Sequence, residues 1–501
     1  MNLQDPDRAV IPGNDEPGHQ DYARIAWHGF GQGHNTYAHS MAWFQDHLYV
    51  GTTVHTLCLV RAAPPKTPAA LNPWPVRVPS DVFSLDLRAQ IWRYDPKKAR
   101  WKKVYISPII VGRGDLEVAR DLGYRGMTVC KGDGVSQPSL FVSGGSSASR
   151  GIGAQFLRTT NGTDFEPWSQ PGLGDPDVVS FRALEAFRGR LFTSPAGMAR
   201  AWNVSSRPAV LECRDLESGE WFEASKPGFG DAENRSIFEM AVFGDYLYAG
   251  TTNPKYGFQV WKTDGEGRPP YRWKKVIDRG ASRGPLNEGV TTMCTHDGAL
   301  YVGGGIQHGG YDRNFGVGPA SAEVIRIFPD DSWELVVGSP RKTRKGVKTP
   351  LSGLGPGFNN FFIGYIWSMA SFGGRLYVGT FDSSVFLRFA TGKRVTHWLR
   401  KIGAETVVSR EGGFDLWSSA DGKDWSLITR TGFGNPYNYG ARTMVSSPAG
   451  LFVGTANPFG PEVAVKHGDE WRYEVNTNGG CEVWMRNNDG PIVGQSGIDP
   501  T

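Results

Sequence analysis

The sequence has no apolar run that approaches 18 residues, so it offers no candidate for a membrane-spanning helix. Its beginning, MNLQDPDRAVIPGNDEPG, is polar and acidic and has no apolar secretory segment, so we expect a cytoplasmic location. The five cysteines are scattered and form no C-x-x-C pair, which indicates free thiols in a reducing compartment. The net charge is only +4 and basic residues form no long block, so no nucleic-acid partner is expected.

Catalytic motifs of fixed spacing are also lacking. No H-x-H, H-E-x-x-H or G-x-S-x-G pattern occurs, so the sequence predicts neither a transition-metal site nor a serine nucleophile. Four histidines, His34, His39, His55 and His308, could share a metal only if a ring-shaped fold brought them to its axis. A structural Ca²⁺ held by loop carboxylates and carbonyl oxygens is the cofactor alternative that stays open.

What the sequence does contain is a repeat. Glycine (66) and proline (33) are frequent, and aromatics make up 12% of the chain, which favours many short strands and turns. Phrases such as FEMAVFGDYLYAGTTN and WSMASFGGRLYVGTFD recur in seven copies. Their aligned anchors are Met41, Met127, Leu184, Met240, Met293, Met369 and Met444. Each copy continues into a strand ending in Trp and a polar turn, which predicts four short antiparallel strands per copy.

We therefore predict an all-β chain forming a single seven-bladed β-propeller. The last copy lacks a fourth strand, whereas DYARIAWHGFG near the start matches the fourth-strand phrase DWSLITRTGFG. We expect residues 21–31 to join the last blade and close the ring. The predicted organisation is an N-terminal extension (1–20), the propeller (21–490) and a C-terminal tail (491–501).

The variable connections predict where binding occurs. The turn after the first strand is tight in every copy, whereas connections on the opposite face are long and individual, which is typical of a binding face. Insertions in copies 1, 5 and 6 could build a lid there. Polar turns such as SSADGKDW resemble the Asp-box of sialidase-type propellers, so Asp421, Asp264 and Asn161 are expected to form turns.

Residues two positions before the anchors should converge at the channel mouth. They are His39, Arg125, Arg182, Phe238, Thr291, Trp367 and Arg442, with Tyr37, Tyr365 and Tyr439 nearby. Three arginines suit a carboxylate, phosphate or phenolate, and an arginine can also hold a tyrosine as a phenolate base. The alternative is that these arginines only bridge blades through backbone carbonyls.

Roles follow from these residue types. We assign catalysis to Tyr37, His39, Arg125, Tyr439 and Arg442, with His39 or a tyrosine moving the proton. Substrate binding is assigned to Arg182, Phe238, Tyr365 and Trp367 and to the loop residues His55, His308, Asp312, Arg313 and Asp382.

The phrases LRAQIWRYDP, GFGDAENRSIFEMAVF and GGYDRNFGVGPASAEVIRIFPDDSWELVVG resemble a group of bacterial seven-bladed propeller proteins whose roles are mostly unassigned. More loosely, the chain resembles the propeller part of cyanobacterial enzymes that alkylate resorcinols in cylindrocyclophane formation. That resemblance implies a calcium-binding alkyltransferase of natural product biosynthesis that uses Arg and Tyr. The G-G-x-G-x-D calcium repeats expected beside such a propeller do not occur here.

Together these features predict an enzyme acting on a small phenolic or anionic molecule at the channel mouth. Friedel-Crafts-type alkylation of a resorcinol is one concrete version. Elimination of a uronate by a polysaccharide lyase and a non-catalytic interaction scaffold are the alternatives.

Overall fold

The computed structural model describes residues 19–63, 71–133, 135–197, 205, 207–391, 401–487 and the backbone of 497–499. Within these residues the chain consists mainly of antiparallel β-strands, which confirms the prediction of an all-β protein. Apart from residues 19, 20 and 497–499, the predicted N-terminal extension and C-terminal tail lie outside the described residues.

Strand pairing divides the main strands into seven antiparallel groups of four, which we call units 1 to 7. Unit 1 comprises Asn35–Phe44, His47–Val54, Gln90–Asp95 and Arg100–Ile106. Unit 2 comprises Gly123–Cys130, Ser139–Gly145, Phe156–Thr159 and Glu166–Pro167. Unit 3 comprises Ser180–Phe187, Arg190–Ala196, Leu211–Cys213 and Trp221–Glu223.

The remaining units repeat this order. Unit 4 comprises Ser236–Phe243, Tyr246–Thr252, Val260–Thr263 and Lys274–Ile277. Unit 5 comprises Gly289–His296, Ala299–Gly305, Val324–Ile327 and Trp333–Val337. Unit 6 comprises Ile363–Phe372, Arg375–Asp382, Leu416–Ser419 and Trp425–Thr429. Unit 7 comprises Gly440–Ser447, Gly450–Ala456, Val483–Arg486 and the N-terminal strand Tyr22–Ala26, whose Tyr22 lies opposite Arg486.

Further strands and short helices lie in the connections. The additional hairpins are Ile109–Val111 with Glu117–Ala119, Arg341–Thr343 with Gly346–Lys348, and Glu462–His467 with Glu470–Val475. Gly497–Asp499 pairs in parallel with Arg100–Ile106. The α-helices are Thr56–Ala62 and Ala404–Glu411, whereas His28–Gly31, Arg279–Ser282 and Gln307–Gly310 are short turns that contain left-handed residues. The 3₁₀ turns are His19–Asp21, Val82–Ser84, Arg113–Asp115, Pro171–Gly174, Pro227–Gly230, Gly284–Leu286, Pro356–Asn359 and Ser384–Phe389. None of the helices in the described ranges is long and apolar enough to cross a membrane.

An aromatic stack packs the third strand of units 1, 4, 6 and 7. In each, a Phe from the segment preceding the unit stacks on the third-strand Trp, with ring centroids 4.4–5.0 Å apart. The pairs are Phe30–Trp92, Phe229–Trp261, Phe358–Trp417 and Phe433–Trp484. These four Phe residues have φ between 55° and 60°, so tertiary packing overcomes their disfavoured left-handed backbone.

A buried polar network accompanies this stack. In unit 1, Gln90 Oε1 accepts hydrogen bonds from Trp92 Nε1 at 2.9 Å and Asn35 Nδ2 at 3.1 Å. Gln259 in unit 4 and Glu482 in unit 7 accept equivalent bonds from a Trp and an Asn. Because unpaired buried polar groups cost about 1–3 kcal/mol each, the network explains the recurring QIW, QVW and EVW phrases.

The first strands of the units form the inner surface. The first strand of each unit lies beside that of the next, and the first strand of unit 7 lies beside that of unit 1. Backbone pairing between units occurs at the starts of these strands, as between Thr53 and Gly123 and between Tyr37 and Ala456. This end of the first strands therefore carries the candidate site.

Candidate functional site

A β-bulge interrupts the first strand of every unit at the same point. There, one extra residue of the first strand disturbs its pairing with the second strand. The residues at this point are His39, Arg125, Arg182, Phe238, Thr291, Trp367 and Arg442, which we call the bulge ring. A bulge changes the direction in which its side chain points. The bulges coincide with the seven positions that the sequence analysis selected.

Contacts between neighbouring units show that this ring is compact. The guanidinium carbon of Arg182 lies 3.4 Å from the ring centroid of Phe238, and that of Arg442 lies 5.4 Å from the ring centroid of Trp367. Cation–π contacts of this kind stabilise a guanidinium by about 0.5–2 kcal/mol. The aromatic members thus hold two of the three arginines in place.

Tyrosines form one wall of the site. The hydroxyls of Tyr37 and Tyr439 share a hydrogen bond, and Trp367 lies edge-on to both rings with centroids 5.9 Å away. Tyr365 accepts a hydrogen bond from the backbone N–H of Gly309 at 3.1 Å through its hydroxyl oxygen. The sequence candidates from units 6, 7 and 1 are therefore brought together.

The three arginines influence one another. Burial lowers the pKa of Arg125 to about 9 and that of Arg442 to about 10. Burial also lowers the pKa of Arg182 well below its usual value, and the charges of Arg125 and Arg442 lower it further. Arg125 Nη1 donates to Ser180 Oγ at 2.9 Å. A bound anion would offset both the burial of these charges and their repulsion.

His39 is neutral in this environment. Burial lowers its pKa well below the usual value, and the charges of Arg442, Arg125 and Arg182 lower it further. Its Nδ1 shares a hydrogen bond with Thr53 Oγ1, which orients the ring. His39 is therefore a proton acceptor whose basicity depends on the charge around the arginines.

The tyrosines keep their protons. Burial raises the pKa of Tyr37 above its usual value and raises that of Tyr439 well above it. Neither is a phenolate at neutral pH, which differs from the sequence-based idea of a tyrosine base. The physical reason is that burial outweighs the opposing charge of Arg442 at both sites.

Two glutamates that the sequence analysis did not single out belong to the same region. Burial raises the pKa of Glu239 to about 7, against the opposing charges of Arg442 and Arg182. Burial and the charge of Glu239 raise the pKa of Glu185 to about 8. Both lie on first strands, in SIFEMAVF and FRALEAF, where a charged residue among apolar ones was the available signal.

Three insertions pack against the tyrosine wall, and we call them the lid segments. They are Thr56–Ala62 with residues 71–85 from unit 1, Ser384–Phe389 from unit 6, and the hairpin at residues 462–475 from unit 7. Backbone bridges join Leu71 to Ala390 and Val76 to Val463. Apolar side chains of the lid segments form one buried cluster with Tyr37 and Tyr439. The sequence analysis anticipated the insertions of units 1 and 6 but missed the hairpin of unit 7. The unit 5 insertion, which it also named, meets the tyrosine wall where the Gly309 N–H donates to the Tyr365 hydroxyl oxygen.

Five loop candidates lie in local structures of their own. His55 stacks on His34, with ring centroids 5.3 Å apart. Asp312 Oδ1 accepts from the backbone N–H of Asn314 at 2.8 Å, as a turn-forming aspartate does. His308 and Arg313 are exposed. The buried Asp382 carboxylate accepts from Ser384 N at 2.7 Å and from Asn360 Nδ2 at 3.2 Å, so it organises a loop. The structure does not place these five in the bulge ring.

Metal ligands are not gathered anywhere in the described ranges: no group of three or more His, Cys, Asp or Glu side chains there is placed to hold a metal ion. A calcium site built with carbonyl oxygens stays a prediction. The five cysteines are free, as expected from their spacing.

Comparison with known proteins was made against families, curated proteins and solved structures. No family model matches the sequence, and no curated protein matches it. The computationally designed Ika8 protein aligns over 91% of this chain and 98% of its own, with 8% identity and a TM-score of 0.37. A puromycin-hydrolyzing peptidase of Mycobacterium tuberculosis aligns over 90% of this chain and 55% of its own, with 12% identity and a TM-score of 0.44.

A puromycin hydrolase mutant complexed with PGG aligns over 95% of this chain and 57% of its own, with 11% identity and a TM-score of 0.44. The chain therefore spans little more than half the length of these two proteins. Likenesses this weak carry no argument about fold or activity.

Proposed function

We propose that units 1 to 7 are the blades of a single seven-bladed β-propeller, closed by Tyr22–Ala26 as the fourth strand of the last blade. Two observations support this: the seven four-stranded groups, and the cyclic succession of their first strands from unit 1 through unit 7 and back. The bulge ring then surrounds the axis of the propeller, close to the lid segments.

The function that this site supports best is that of an enzyme. It would bind a compact anionic or phenolic molecule and move a proton to or from it. The observation that carries the proposal is the convergence of three arginines, a hydrogen-bonded tyrosine pair and a neutral histidine beneath an aromatic lid. Exclusion of water by the lid segments would strengthen the electrostatic interactions with a bound molecule.

The arginines would hold the anionic group. Guanidinium groups form paired, charge-assisted hydrogen bonds with carboxylate, phosphate or phenolate oxygens. Arg182 and Arg442 are already positioned by stacking on Phe238 and Trp367, so little side-chain freedom is lost on binding. Binding an anion is especially favourable at this site because three positive charges lie close together in the unliganded protein.

Proton transfer would follow from the same charges. Burial lowers the pKa of His39 and the arginine charges lower it further, so an anion bound to the arginines would raise that pKa and make His39 a better base than in the free protein. Within the hydrogen-bonded pair Tyr37–Tyr439, the hydroxyl that accepts keeps its own proton free and would donate it to an oxygen on which negative charge develops. This division assigns the base to His39 and the hydrogen-bond donor to the tyrosine pair.

A binding experiment tests the first step. Calorimetry with a panel of small carboxylates and phenols should identify a ligand, and Arg442→Gln should weaken its binding at least tenfold. The matched control is Arg313→Gln, because Arg313 is exposed and lies outside the bulge ring. Equal binding by wild type and Arg442→Gln would show that the anion does not bind here.

A kinetic experiment tests the second step. Hydrogen–deuterium exchange or turnover of the identified ligand, followed by NMR, should be lost in His39→Asn while binding persists. If wild type binds but neither exchanges nor converts any ligand, the scaffold alternative is favoured instead. Resorcinol alkylation and uronate elimination remain predictions of the sequence, and both substrate classes belong in the panel.

A further inference from the structure

A cavity of about 370 Å³ lies at the surface between units 5 and 6. The segments that precede these two units form most of it, and the connection between the second and third strands of unit 5 completes it. The lining residues are Arg283, Ala320, Ser321, Gly355, Pro356, Asn359 and Phe361. None of these residues belongs to the bulge ring or to the lid segments, so the cavity is separate from the site described above.

Positive charge is in excess beside this cavity. Arg283 Nε lies 3.3 Å from Glu323 Oε1, and Arg341 Nη1 lies 2.7 Å from Glu323 Oε2. The side chains of Arg283 and Arg341 are only 11% and 10% exposed. One buried carboxylate therefore balances two poorly solvated cations, and an anion that entered the cavity would balance the second.

Hydrogen-bond donors remain available around this charge. Arg341 Nη2 is buried and has no hydrogen-bond partner among the described residues. Arg283 Nη1 donates to the backbone carbonyl of Ser321 at 2.8 Å, whereas Arg283 Nη2 makes no hydrogen bond within the described ranges. Asn359 Oδ1 accepts from the backbone N–H of Gly355 at 2.8 Å, which leaves Asn359 Nδ2 as a further donor. The cavity thus offers a guanidinium and an amide to an incoming ligand.

Phe361 supplies an apolar wall to the same cavity. Its side chain is 65% exposed, and Ser321 Oγ donates to its backbone carbonyl at 3.0 Å. Because Phe361 is the only aromatic residue among those that line the cavity, a ring packed on it would keep its other face in water. A sugar ring suits both conditions, since its C–H groups pack on an aromatic side chain and its hydroxyl groups bind water.

We propose that this cavity binds an acidic sugar residue, with its carboxylate at Arg283, its ring on Phe361 and a hydroxyl group at Asn359 Nδ2. Hydrogen bonds between a guanidinium and a carboxylate are charge-assisted and therefore strong. The open surface allows the remainder of a sugar chain to extend from the cavity. This inference goes beyond the proposed function, because it assigns a second site that does not depend on the bulge ring.

A matched pair of sugars isolates the carboxylate. Methyl β-D-glucuronide carries this group, and methyl β-D-glucoside has the same ring without the charge. Saturation-transfer NMR titrations of the full chain at neutral pH should give about fivefold tighter binding of the glucuronide. The same titrations in Arg442→Gln, in which anion binding at the bulge ring is weakened, should give the same ratio. 4-Methylbenzoate is the third probe, and in Arg442→Gln it should bind more weakly than the glucuronide.

Variants locate the binding. Phe361→Ala removes an exposed side chain, so it should leave folding intact and weaken the binding of both sugars about fivefold. Arg283→Gln should bring the affinity ratio of the two sugars close to one. Phe222→Ala is the matched control, because Phe222 is 49% exposed and lies on the last strand of unit 3. Thermal unfolding verifies that each variant folds, and Phe361→Ala decides alone if Arg283→Gln does not.

The outcomes decide this inference separately from the proposed function. Equal affinity of the wild type for the two sugars, no binding of either, or glucuronide binding that Phe361→Ala leaves unchanged overturns it. Loss of glucuronide binding in Arg442→Gln would place the uronate at the bulge ring, which overturns the second site and supports the proposed function. Tighter binding of 4-methylbenzoate than of the glucuronide in Arg442→Gln would overturn the assignment to a sugar.

Discussion

Each unit has an outer layer, formed by its third strand and the Phe stacked on it, and an inner layer, formed by its first strand. The two layers differ in how far their side chains repeat from unit to unit. In the outer layer, the third-strand Trp and the Phe stacked on it recur in units 1, 4, 6 and 7 with nearly the same geometry. In the inner layer, the bulge recurs in every unit, but its residue changes from His to Arg, Phe, Thr and Trp. Backbone form is conserved between units in both layers, whereas side-chain chemistry is repeated only in the outer one.

We infer that the outer layer stabilises each unit, whereas the inner layer carries the proposed site. The outer layer satisfies its polar groups internally, as Gln90 does with Trp92 and Asn35. The inner layer gathers three like charges and two carboxyl groups with raised pKa values. Groups with perturbed pKa values are typical of functional sites, which is the reason for proposing a ligand at this layer.

Removing an outer-layer aromatic should have the largest effect on folding. Trp92→Ala would leave a cavity beneath Phe30 and remove one of the two hydrogen bonds that Gln90 Oε1 accepts, which costs about 3–5 kcal/mol of unfolding free energy. Urea or thermal unfolding of the full chain measures this loss of unfolding free energy. Trp92→Phe, which keeps the stack but not the N–H, should lose less. A loss below 1 kcal/mol for Trp92→Ala would contradict the structural role of this layer.

Neutralising an inner-layer charge should act in the opposite direction on stability. Arg442→Gln removes a buried charge that lies near two other arginines, so we expect the unfolding free energy to stay constant or rise by about 1 kcal/mol. Arg190→Gln is the contrast, because Arg190 forms an ion pair with buried Glu212 at 2.8 Å, and its loss should destabilise the fold. A marked destabilisation by Arg442→Gln would assign Arg442 to the scaffold.

The same two layers show how far sequence reasoning reaches. All seven bulge-ring positions were found because the repeat places them in one register. Glu185 and Glu239 were missed because they stand at other positions of the repeat, where the alignment with its neighbours gives no signal. The protonation of Tyr37 was missed because burial depends on the lid segments, which come from distant parts of the sequence.

Loop residues were the weakest sequence predictions. His55, His308, Asp312, Arg313 and Asp382 lie in insertions that have no counterpart in other units, so no register constrains their position. Insertion length identified the lid contributions of units 1 and 6. The hairpin of unit 7 was missed since its polar, alternating strands resemble an ordinary connection.

The pH dependence of the unfolding free energy shows whether Asp382 belongs to the scaffold or to the candidate site. Burial raises its pKa from 3.8 to about 7, so the folded protein holds a proton that the unfolded chain has already released. The contribution of Asp382 to stability therefore falls as pH rises from about 4 to about 7. Asp382→Asn should remove this part of the pH dependence, seen as a wild-type minus variant difference in unfolding free energy that changes across that window. The affinity of the bulge ring for its ligand should be the same in Asp382→Asn. A tenfold loss of affinity would show that Asp382 is part of the binding site.

The smallest effect is expected at the outermost turn, where Asp421 Oδ1 accepts hydrogen bonds from the backbone N–H groups of Lys423 at 2.8 Å and Asp424 at 3.0 Å. These bonds lower the pKa of Asp421, so its charge adds stability above the usual aspartate pKa, and that stability is lost as pH falls. Asp421→Ala should cost about 1 kcal/mol of unfolding free energy at pH 7. Asp421→Asn keeps the turn-forming oxygen, as Asn161 does in unit 2, and should lose only the pH-dependent part. If Asp421→Asn destabilises the protein at pH 7 as much as Asp421→Ala does, the charge of Asp421 stabilises this turn more than its geometry does. The turns of units 2 and 6 would then be stabilised in different ways.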